Sequence, residues 1–212
     1  MESKLFTPVT FGPLTLRNRT IRSAAFESMC PGNAPSDMLL DYHRSVAAGG
    51  IGMTTVAYAA VTQSGLSFDR QLWMRPEIIP GLRRLTDAIH AEGAAAGIQL
   101  GHCGNMSHKG ICGCMPVGAS SGFNLYSPTF VRGLRADELP EMARAYGRSV
   151  NLAREAGFDS VEIHAGHGYL ISQFLSPSTN HRKDEFGGSL QNRMRFMDMV
   201  MEEVMKAAGS DM

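Results

Sequence analysis

Two histidines and a tyrosine lie close together where a predicted β-strand ends. The segment reads Glu162-Ile163-His164-Ala165-Gly166-His167-Gly168-Tyr169-Leu170. Two imidazoles can donate hydrogen bonds to a carbonyl oxygen and stabilise a developing enolate, while a phenol with an ordinary pKa near ~10 can protonate carbon. Alternation along the strand places Glu162 and His164 on the same face. Satisfied structural groups at a strand end are the alternative, but the triplet as a whole favours a catalytic site formed by His164, His167 and Tyr169.

Four copies of one unit must position these side chains. Each copy is a short apolar strand, a loop and an amphipathic helix that ends at glycine. The predicted strands are residues 20–26, 53–58, 97–101 and 160–164, and the predicted helices are about 36–48, 80–92, 138–156 and 189–208. Ser36 and Asp137 are predicted helix caps, and Gly49, Gly93, Gly157 and Gly209 are predicted stops. This alternation indicates a parallel α/β sheet covered by helices, because parallel strands need crossover connections.

The loops differ in length on the two sides of the predicted sheet. Links from helix to strand are short, whereas the link from the third strand to its helix runs from 102 to 137. In a β/α barrel, the loops that follow the strands form the active-site face. We therefore predict one domain, 1–212, with a TIM-type (β/α) barrel fold of which about the first four units are present. An N-terminal β-hairpin over 5–16 precedes this half-barrel.

Composition narrows the function classes further. The chain has 20 Lys and Arg and 20 Asp and Glu, without a basic stripe, so we expect no nucleic-acid partner. No apolar stretch approaches the ~18 residues that span a bilayer, and no signal core starts the chain, so we expect a cytoplasmic protein away from membranes. The four cysteines are too few for a disulfide scaffold and are expected to be free thiols.

The histidine and tyrosine segment belongs to a longer block that resembles a known family. The block continues with Gln173-Phe174-Leu175-Ser176-Pro177 and with Asn180-His181-Arg182-Lys183-Asp184-Glu185-Phe186-Gly187-Gly188-Ser189-Leu190-Gln191-Asn192-Arg193. It is similar to the signature of the Old Yellow Enzyme family, the FMN-dependent ene-reductases. Similarity starts at Leu5-Phe6-Thr7-Pro8 and passes through Gly97-Ile98-Gln99-Leu100-Gly101-His102, so it spans the whole chain.

The resemblance implies an FMN site at the carboxyl ends of the strands. By motif, the residues beside or near the flavin are Ala24, Ala25, Phe26, Tyr58, Gln99, His164 and His167. Gln99 would bond the pyrimidine edge of the ring, because an amide offers both a donor and an acceptor. Many family members carry Pro-Met-Thr or Pro-Met-Cys where this chain has Ala24-Ala25-Phe26, so position 26 lacks a hydroxyl or thiol to tune the flavin. The family's flavin-facing arginine and late phosphate site have no counterpart in these residues.

The resemblance also implies a reaction. NAD(P)H would reduce FMN, and the flavin would pass hydride to a small alkene that is activated by conjugation to a carbonyl. His164 and His167 would hold the activating oxygen, and Tyr169 would protonate the neighbouring carbon.

Two other readings stay open at this point. Four units cannot close an eight-stranded barrel, so the chain could be a cofactor-free half-barrel, inactive alone or dependent on self-association as a homo-oligomer through its open edges. A metal site is the second alternative, and its candidates are His102, Cys103, His108, Cys112 and Cys114. Their spacing fits no standard zinc pattern, because one residue alone separates Cys112 from Cys114.

Overall fold

Strands and helices alternate along the chain, and the computed structural model describes residues 3–210 and 212. Within these residues the strands are β1 (Val9–Phe11), β2 (Leu14–Leu16), β3 (Ile21–Arg22), β4 (Met53–Ala60), β5 (Leu72–Trp73), β6 (Ala95–Gly101), β7 (Val117–Gly118), β8 (Gly122–Asn124), β9 (Thr129–Gly133) and β10 (Ser160–Ile163). The α-helices are α1 (Asp37–Ala48), α2 (Ile79–Ala91), α3 (Lys109–Cys112), α4 (Leu139–Glu155), α5 (Leu170–Leu175) and α6 (Leu190–Ala208).

A parallel sheet in the order β10-β6-β4-β3 forms the centre of the fold, and β5 pairs with the end of β4. Each strand therefore lies beside the next one along the chain, as consecutive units of a β/α barrel do. Over the described residues the sheet does not close on itself. β1 and β2 form an antiparallel hairpin around Gly12, whose φ is +52°. The predicted partial barrel with an N-terminal hairpin is thus confirmed.

The helices α1, α2, α4 and α6 cover one face of this sheet. The predicted apolar stripe of α2, formed by Leu82, Leu85 and Ile89, is completely buried. Tyr146 of α4 and Phe196 of α6 are also completely buried in the same core. Burying each large apolar side chain stabilises the fold by roughly 1.5–3 kcal/mol. Among the helices that the structure describes, none has the length and apolar character needed to cross a membrane.

Side chains cap the starts of the long helices, and one of the predicted caps is wrong. Ser36 accepts a hydrogen bond at 3.2 Å from the backbone N–H three residues further on, as predicted. Ser189 caps the last helix in the same way at 3.2 Å, although the sequence placed it inside that helix. Asp137 is not the cap of the third long helix, because its carboxylate bonds the Arg135 side chain instead. The Glu138 carboxylate accepts the Arg135 backbone N–H at 2.7 Å and fixes that end.

The predicted stop of α1 lies one residue too early in the sequence. Gly49 has an ordinary helical φ of −66°, whereas Gly50 has a φ of +94° in the left-handed region that favours glycine. The chain therefore leaves the helix at Gly50. The other predicted stops, Gly93, Gly157 and Gly209, all have positive φ values.

The first parallel strand is shorter than the predicted 20–26. It ends at Arg22, whose guanidinium Nη1 donates to the Thr55 carbonyl at 2.7 Å and so takes an acceptor of the neighbouring strand. The same nitrogen lies 2.6 Å from a Glu27 carboxylate oxygen, and His43 Nε2 lies 3.2 Å from that oxygen. This largely buried cluster of side chains holds the two ends of the segment 22–27 at the rim. Among the described residues, backbone hydrogen bonds between strands do not continue that far.

The long link between β6 and α4 contains structure that the sequence pattern does not reveal. It holds α3 and a small sheet in which β9 pairs with β7 and β8. Gln173 of α5 is buried beneath this link and contacts the Cys103 and Gly168 carbonyls at 3.1 and 2.6 Å. Its Oε1 accepts the Asn105 backbone N–H at 3.2 Å. One amide therefore joins the loop after β6 to the loop after β10.

His102 is a second buried polar group in this region. The Gly104 N–H donates to Nδ1 at 3.0 Å, so Nδ1 carries no proton and the protonated Nε2 donates to Ser64 Oγ at 3.0 Å. Burial lowers the pKa of His102 to about 3. The ring is therefore a neutral structural link between the loops that follow β4 and β6.

The amide of Asn180 provides a test of how the segment between α5 and α6 is held. It is buried and donates to the Phe174 and Phe186 carbonyls at 2.7 and 2.8 Å. We expect Asn180→Ala to lower the free energy of unfolding by about 1–3 kcal/mol, because two buried carbonyls lose their donor. Urea denaturation measures the change. The matched control is Asn151→Ala at an exposed helical position, and equal effects of the two substitutions would contradict this role.

The buried imidazole of His102 makes stability depend on pH. The unfolded chain binds a proton at His102 below about 6.5, whereas the folded protein does so below about 3. The unfolded state thus holds more protons in this window, so stability falls as pH is lowered through it. Between pH 7 and pH 5 the expected loss from this ring is about 2 kcal/mol.

Urea denaturation at pH 7 and pH 5 measures this loss. His102→Gln should shrink the difference between the two pH values, while His181→Gln at an exposed position is the matched control. An undiminished difference in His102→Gln would show that other groups cause it.

Candidate active site

The structure brings His164, His167 and Tyr169 together at the rim of the sheet. The His164 backbone N–H donates to the Leu100 carbonyl at 2.9 Å, which continues the pairing of β10 with β6 beyond the strand end. The His164 ring centroid lies 4.9 Å from both the His167 and the Tyr169 ring centroids. All three side chains line one cavity of about 220 Å³. The predicted triplet therefore shares one space.

The two imidazoles face each other and are joined by one hydrogen bond between ring nitrogens. His167 Nδ1 lies 3.2 Å from His164 Nε2. At this distance one nitrogen donates to the other. An oxygen atom that enters between the rings can accept a hydrogen bond from each nitrogen only after the rings separate and both nitrogens carry protons. The pKa of His164 is lowered, first by burial and then by the nearby His167 charge. A neutral imidazole that still donates a hydrogen bond is the expected form of His164 at neutral pH.

The loop that carries His167 holds it in an uncommon backbone conformation. His167 has a φ of +54°, a region that costs a non-glycine residue roughly 1–3 kcal/mol. The loop returns to the sheet through two backbone bonds, from the Tyr169 N–H to the Gly166 carbonyl at 3.0 Å and from the Leu170 N–H to the His102 carbonyl at 2.9 Å. These bonds fix the exposed His167 ring beside His164.

Tyr169 lies half-buried against other aromatic and polar groups. Its ring centroid is 5.3 Å from that of Tyr58, and its hydroxyl lies 3.3 Å from Ser67 Oγ. Burial raises the pKa of Tyr169, and the Ser67 hydrogen bond opposes this shift to a smaller extent. The Tyr58 hydroxyl is already occupied, because it donates to the Gly65 carbonyl at 2.9 Å. Both phenols line the cavity, and Tyr169 is the one whose hydroxyl proton is not held by a backbone carbonyl.

The cavity also contains every residue that the sequence placed near a flavin. These residues are Ala24, Ala25, Phe26, Tyr58, Gln99, His164 and His167. The Phe26 ring stacks on the Phe68 ring with centroids 4.9 Å apart, and both side chains are about half exposed, at 46% and 50%. Exposed stacked rings beside a cleft offer a flat apolar surface for a planar aromatic ligand.

Gln99 provides polar recognition on the same wall. It lies opposite Glu162 in the parallel register, and its Nε2 donates to Glu162 Oε1 at 2.5 Å. An ionised carboxylate can accept but not donate, so this contact fixes the orientation of the amide. The Gln99 carbonyl oxygen and second N–H then remain for a ligand. An amide, two imidazoles and flat aromatic faces fit the alternating carbonyl and imide groups of an isoalloxazine ring.

Three lining residues and one residue that contacts Tyr169 were missed by the sequence reasoning. The lining residues are Ala57, Phe68 and Gln71, and Ser67 contacts the Tyr169 hydroxyl. Ser67 and Gln71 bond each other, with the Ser67 N–H donating to Gln71 Oε1 at 2.9 Å. For Ser67, Phe68 and Gln71 the available signal was their place in the loop after β4, because loops at the carboxyl ends of parallel strands share one face. Ala57 lies within β4 itself.

The alternative metal site does not assemble. His108 Nε2 bonds Ser127 Oγ at 2.8 Å, and His102 bonds Ser64 as described above. Cys112 and Cys114 lie together with sulfurs 3.9 Å apart, without either imidazole. Across residues 3–210 and 212, no three His, Cys, Asp or Glu side chains are grouped to hold a metal ion.

Comparison with known proteins provides independent evidence on the family of this chain. Residues 4–212 match the model of the NADH:flavin oxidoreductase / NADH oxidase family. The chain is 43% identical over 206 residues to the 4,4'-dithiodibutanoate disulfide reductase of Rhodococcus erythropolis, covering 97% of this chain and 51% of that protein. It is 37% identical to the NADPH dehydrogenase of Bacillus subtilis (strain 168), covering 96% of this chain and 60% of the relative. The chain thus spans about half of the length of the curated relatives it matches.

The fold agrees with this assignment. An Old Yellow Enzyme homologue from Zymomonas mobilis superposes with a TM-score of 0.91 at 30% identity, over 99% of this chain and 62% of that one. The family uses FMN with NAD(P)H as the reductant, which confirms the predicted cofactors at the level of the family. With the family model matched over nearly every residue, the chain belongs to the NADH:flavin oxidoreductase / NADH oxidase family.

Proposed function

We propose that this protein is an FMN-dependent reductase that takes hydride from NAD(P)H and reduces the C=C bond of a small alkene conjugated to a carbonyl. The observation that carries the proposal is the pair of imidazole nitrogens 3.2 Å apart in the same cavity as the half-buried phenol of Tyr169. When a ligand oxygen replaces this hydrogen bond and both nitrogens carry protons, two donors face an atom whose negative charge grows during the reaction. The matching family and the NADPH dehydrogenase relative support the general reaction class, which is flavin-dependent reduction.

Each group has a separate task in the proposed reaction. FMN, when bound against residues 24–26 and Gln99, supplies the hydride. His164 and His167 donate hydrogen bonds to the carbonyl oxygen and draw electron density from the alkene. The β-carbon receives the hydride, and the α-carbon receives the hydroxyl proton of Tyr169, so the C=C bond gains two hydrogens. Solvent or Ser67, which lies 3.3 Å from the Tyr169 hydroxyl, returns a proton to the phenolate.

The burial of the phenol fits this task. A raised pKa keeps Tyr169 protonated at neutral pH, so the proton is present when the carbon needs it. The lowered pKa of His164 keeps that ring neutral, which leaves it a hydrogen-bond donor rather than a competing acid.

A flavin titration of this chain, with its mass in solution measured alongside, tests the proposal directly. Saturable FMN binding that quenches flavin fluorescence supports a competent site. A colourless protein that does not retain FMN at any concentration supports the cofactor-free half-barrel instead. The solution mass shows whether binding requires self-association.

Tyr169→Phe separates proton donation from flavin chemistry. In the FMN-loaded protein we expect alkene reduction to slow by about 10²–10⁴-fold, because general acid catalysis is lost. Flavin reduction by NAD(P)H should stay within about twofold, since that step needs no phenol proton. Stopped-flow spectroscopy measures the two half-reactions separately. Tyr126→Phe, at a side chain that is 93% exposed, is the control, and equal loss of both half-reactions in Tyr169→Phe would refute the role.

Gln99→Ala tests the predicted flavin contact. We expect the dissociation constant for FMN to rise about tenfold or more, because at least one ligand hydrogen bond worth about 1.4 kcal/mol disappears. Fluorescence titration measures the constant. Gln191→Ala removes an exposed amide from α6 and should leave it unchanged. Unaltered FMN affinity in Gln99→Ala would place the flavin elsewhere.

A further inference from the structure

Two cysteine thiols lie side by side outside the proposed active site. Cys112 is the last residue of α3, and Gly113 follows in the left-handed conformation with a φ of +73°. This turn returns the chain so that the sulfurs of Cys112 and Cys114 are 3.9 Å apart. Both are free thiols.

The two thiols differ in their access to solvent. Cys112 is 2% exposed, and its sulfur lies 3.3 Å from the His108 carbonyl and 3.2 Å from the Cys114 carbonyl. Cys114 is exposed and lines a cavity of about 610 Å³ together with Met115 and Arg132. A small molecule that enters this cavity can therefore reach Cys114 but not Cys112.

We propose that Cys112 and Cys114 form a redox-active dithiol that reacts with low-molecular-weight disulfides, with Cys114 as the attacking sulfur and Cys112 as the resolving sulfur. The Cys114 thiolate attacks one sulfur of the small disulfide, breaks its S–S bond and releases one thiolate, which takes up the proton that Cys114 lost. The Cys112 thiolate then attacks the Cys114 sulfur and displaces the second small thiolate, which takes up the proton of Cys112. In sum, two protein thiols are oxidised to one disulfide and the small disulfide is reduced to two thiols.

The geometry suits the second step. The sulfurs must close from 3.9 Å to a bond of about 2.0 Å. Cys114 is exposed and free to turn about its side-chain bonds, and Gly113 gives the backbone between the sulfurs freedom to adjust. The disulfide would close a loop of three residues, which constrains the unfolded chain little, so it contributes little to stability. Such a bond suits a reversible redox pair better than a structural cross-link.

The electrostatic surroundings affect the speed of the first step. The pKa of Cys114 is raised by partial burial and by neighbouring Cys112, and the Arg132 guanidinium opposes this shift. The attacking thiolate is therefore scarce at neutral pH, and an alkaline buffer is the appropriate condition for the test.

The remaining cysteines offer internal controls. Cys30 is 3% exposed and burial raises its pKa to about 12, while Cys103 is fully buried and burial raises its pKa as well. Neither thiol can react at a useful rate in the folded protein. Cys103 is also the rival partner for Cys112, because it lies near enough to interact electrostatically with Cys112 and Cys114.

The test treats the reduced chain, without added FMN, with glutathione disulfide at alkaline pH. After acid quenching, we expect intact mass to show the loss of two hydrogens and peptide mapping to show a Cys112–Cys114 disulfide that dithiothreitol reverses. Two equivalents of glutathione thiol should be released for each chain. Cys30→Ser is the matched control and should react like the unmodified protein.

Two variants separate the roles of the sulfurs. Cys112→Ser should stop at the mixed disulfide and carry one glutathione on residue 114, and Cys114→Ser should not react. Stable glutathione on Cys114 of the unmodified chain, a bond that includes Cys103, or no reaction at all would each overturn the proposal. The result does not depend on flavin binding, so it leaves the proposed ene-reduction untouched.

Discussion

The in-register parallel pairing of β6 with β10 is the constraint on which the proposed active site depends. It sets Gln99 opposite Glu162 and lets the His164 N–H bond the Leu100 carbonyl at 2.9 Å. Because parallel strands run the same way, their carboxyl ends meet at one rim, and the amide and the imidazole reach one cavity. A register slip of one residue would turn Glu162 and His164 to the opposite, helix-covered face, so these side chains would no longer reach the cavity.

Within the sheet, backbone hydrogen bonds between strands hold the chain in place. Beyond the strand ends, buried side chains hold the loops in place. Gln173 joins the loops after β6 and β10, and neutral His102 joins the loops after β4 and β6. Arg22 and Glu27 anchor the segment after β3. Each of these polar groups is stable in the interior because its hydrogen bonds or ion pairs are made. The loops at the rim therefore have defined positions although they contain little regular structure.

Burial also sets the protonation states that the proposed chemistry requires. It lowers the pKa of His164 and raises the pKa of Tyr169, so both side chains are neutral near pH 7. A neutral imidazole donates a hydrogen bond to oxygen, and a neutral phenol holds a proton for carbon. The same physical effect suppresses the thiolate forms of Cys30 and Cys103, which leaves the more accessible Cys114 as the sulfur open to exchange.

Local and periodic signals in the sequence predicted the four units, the hairpin, the Ser36 cap and the grouping of His164, His167 and Tyr169, because each depends on neighbours along the chain. Tertiary contacts decided the rest. β3 is short because Arg22 bonds Thr55, and Ser67 reaches Tyr169 from a loop more than a hundred positions away in the chain. No periodic pattern in the sequence predicts such long-range contacts, since they depend on how the strands and helices pack against each other.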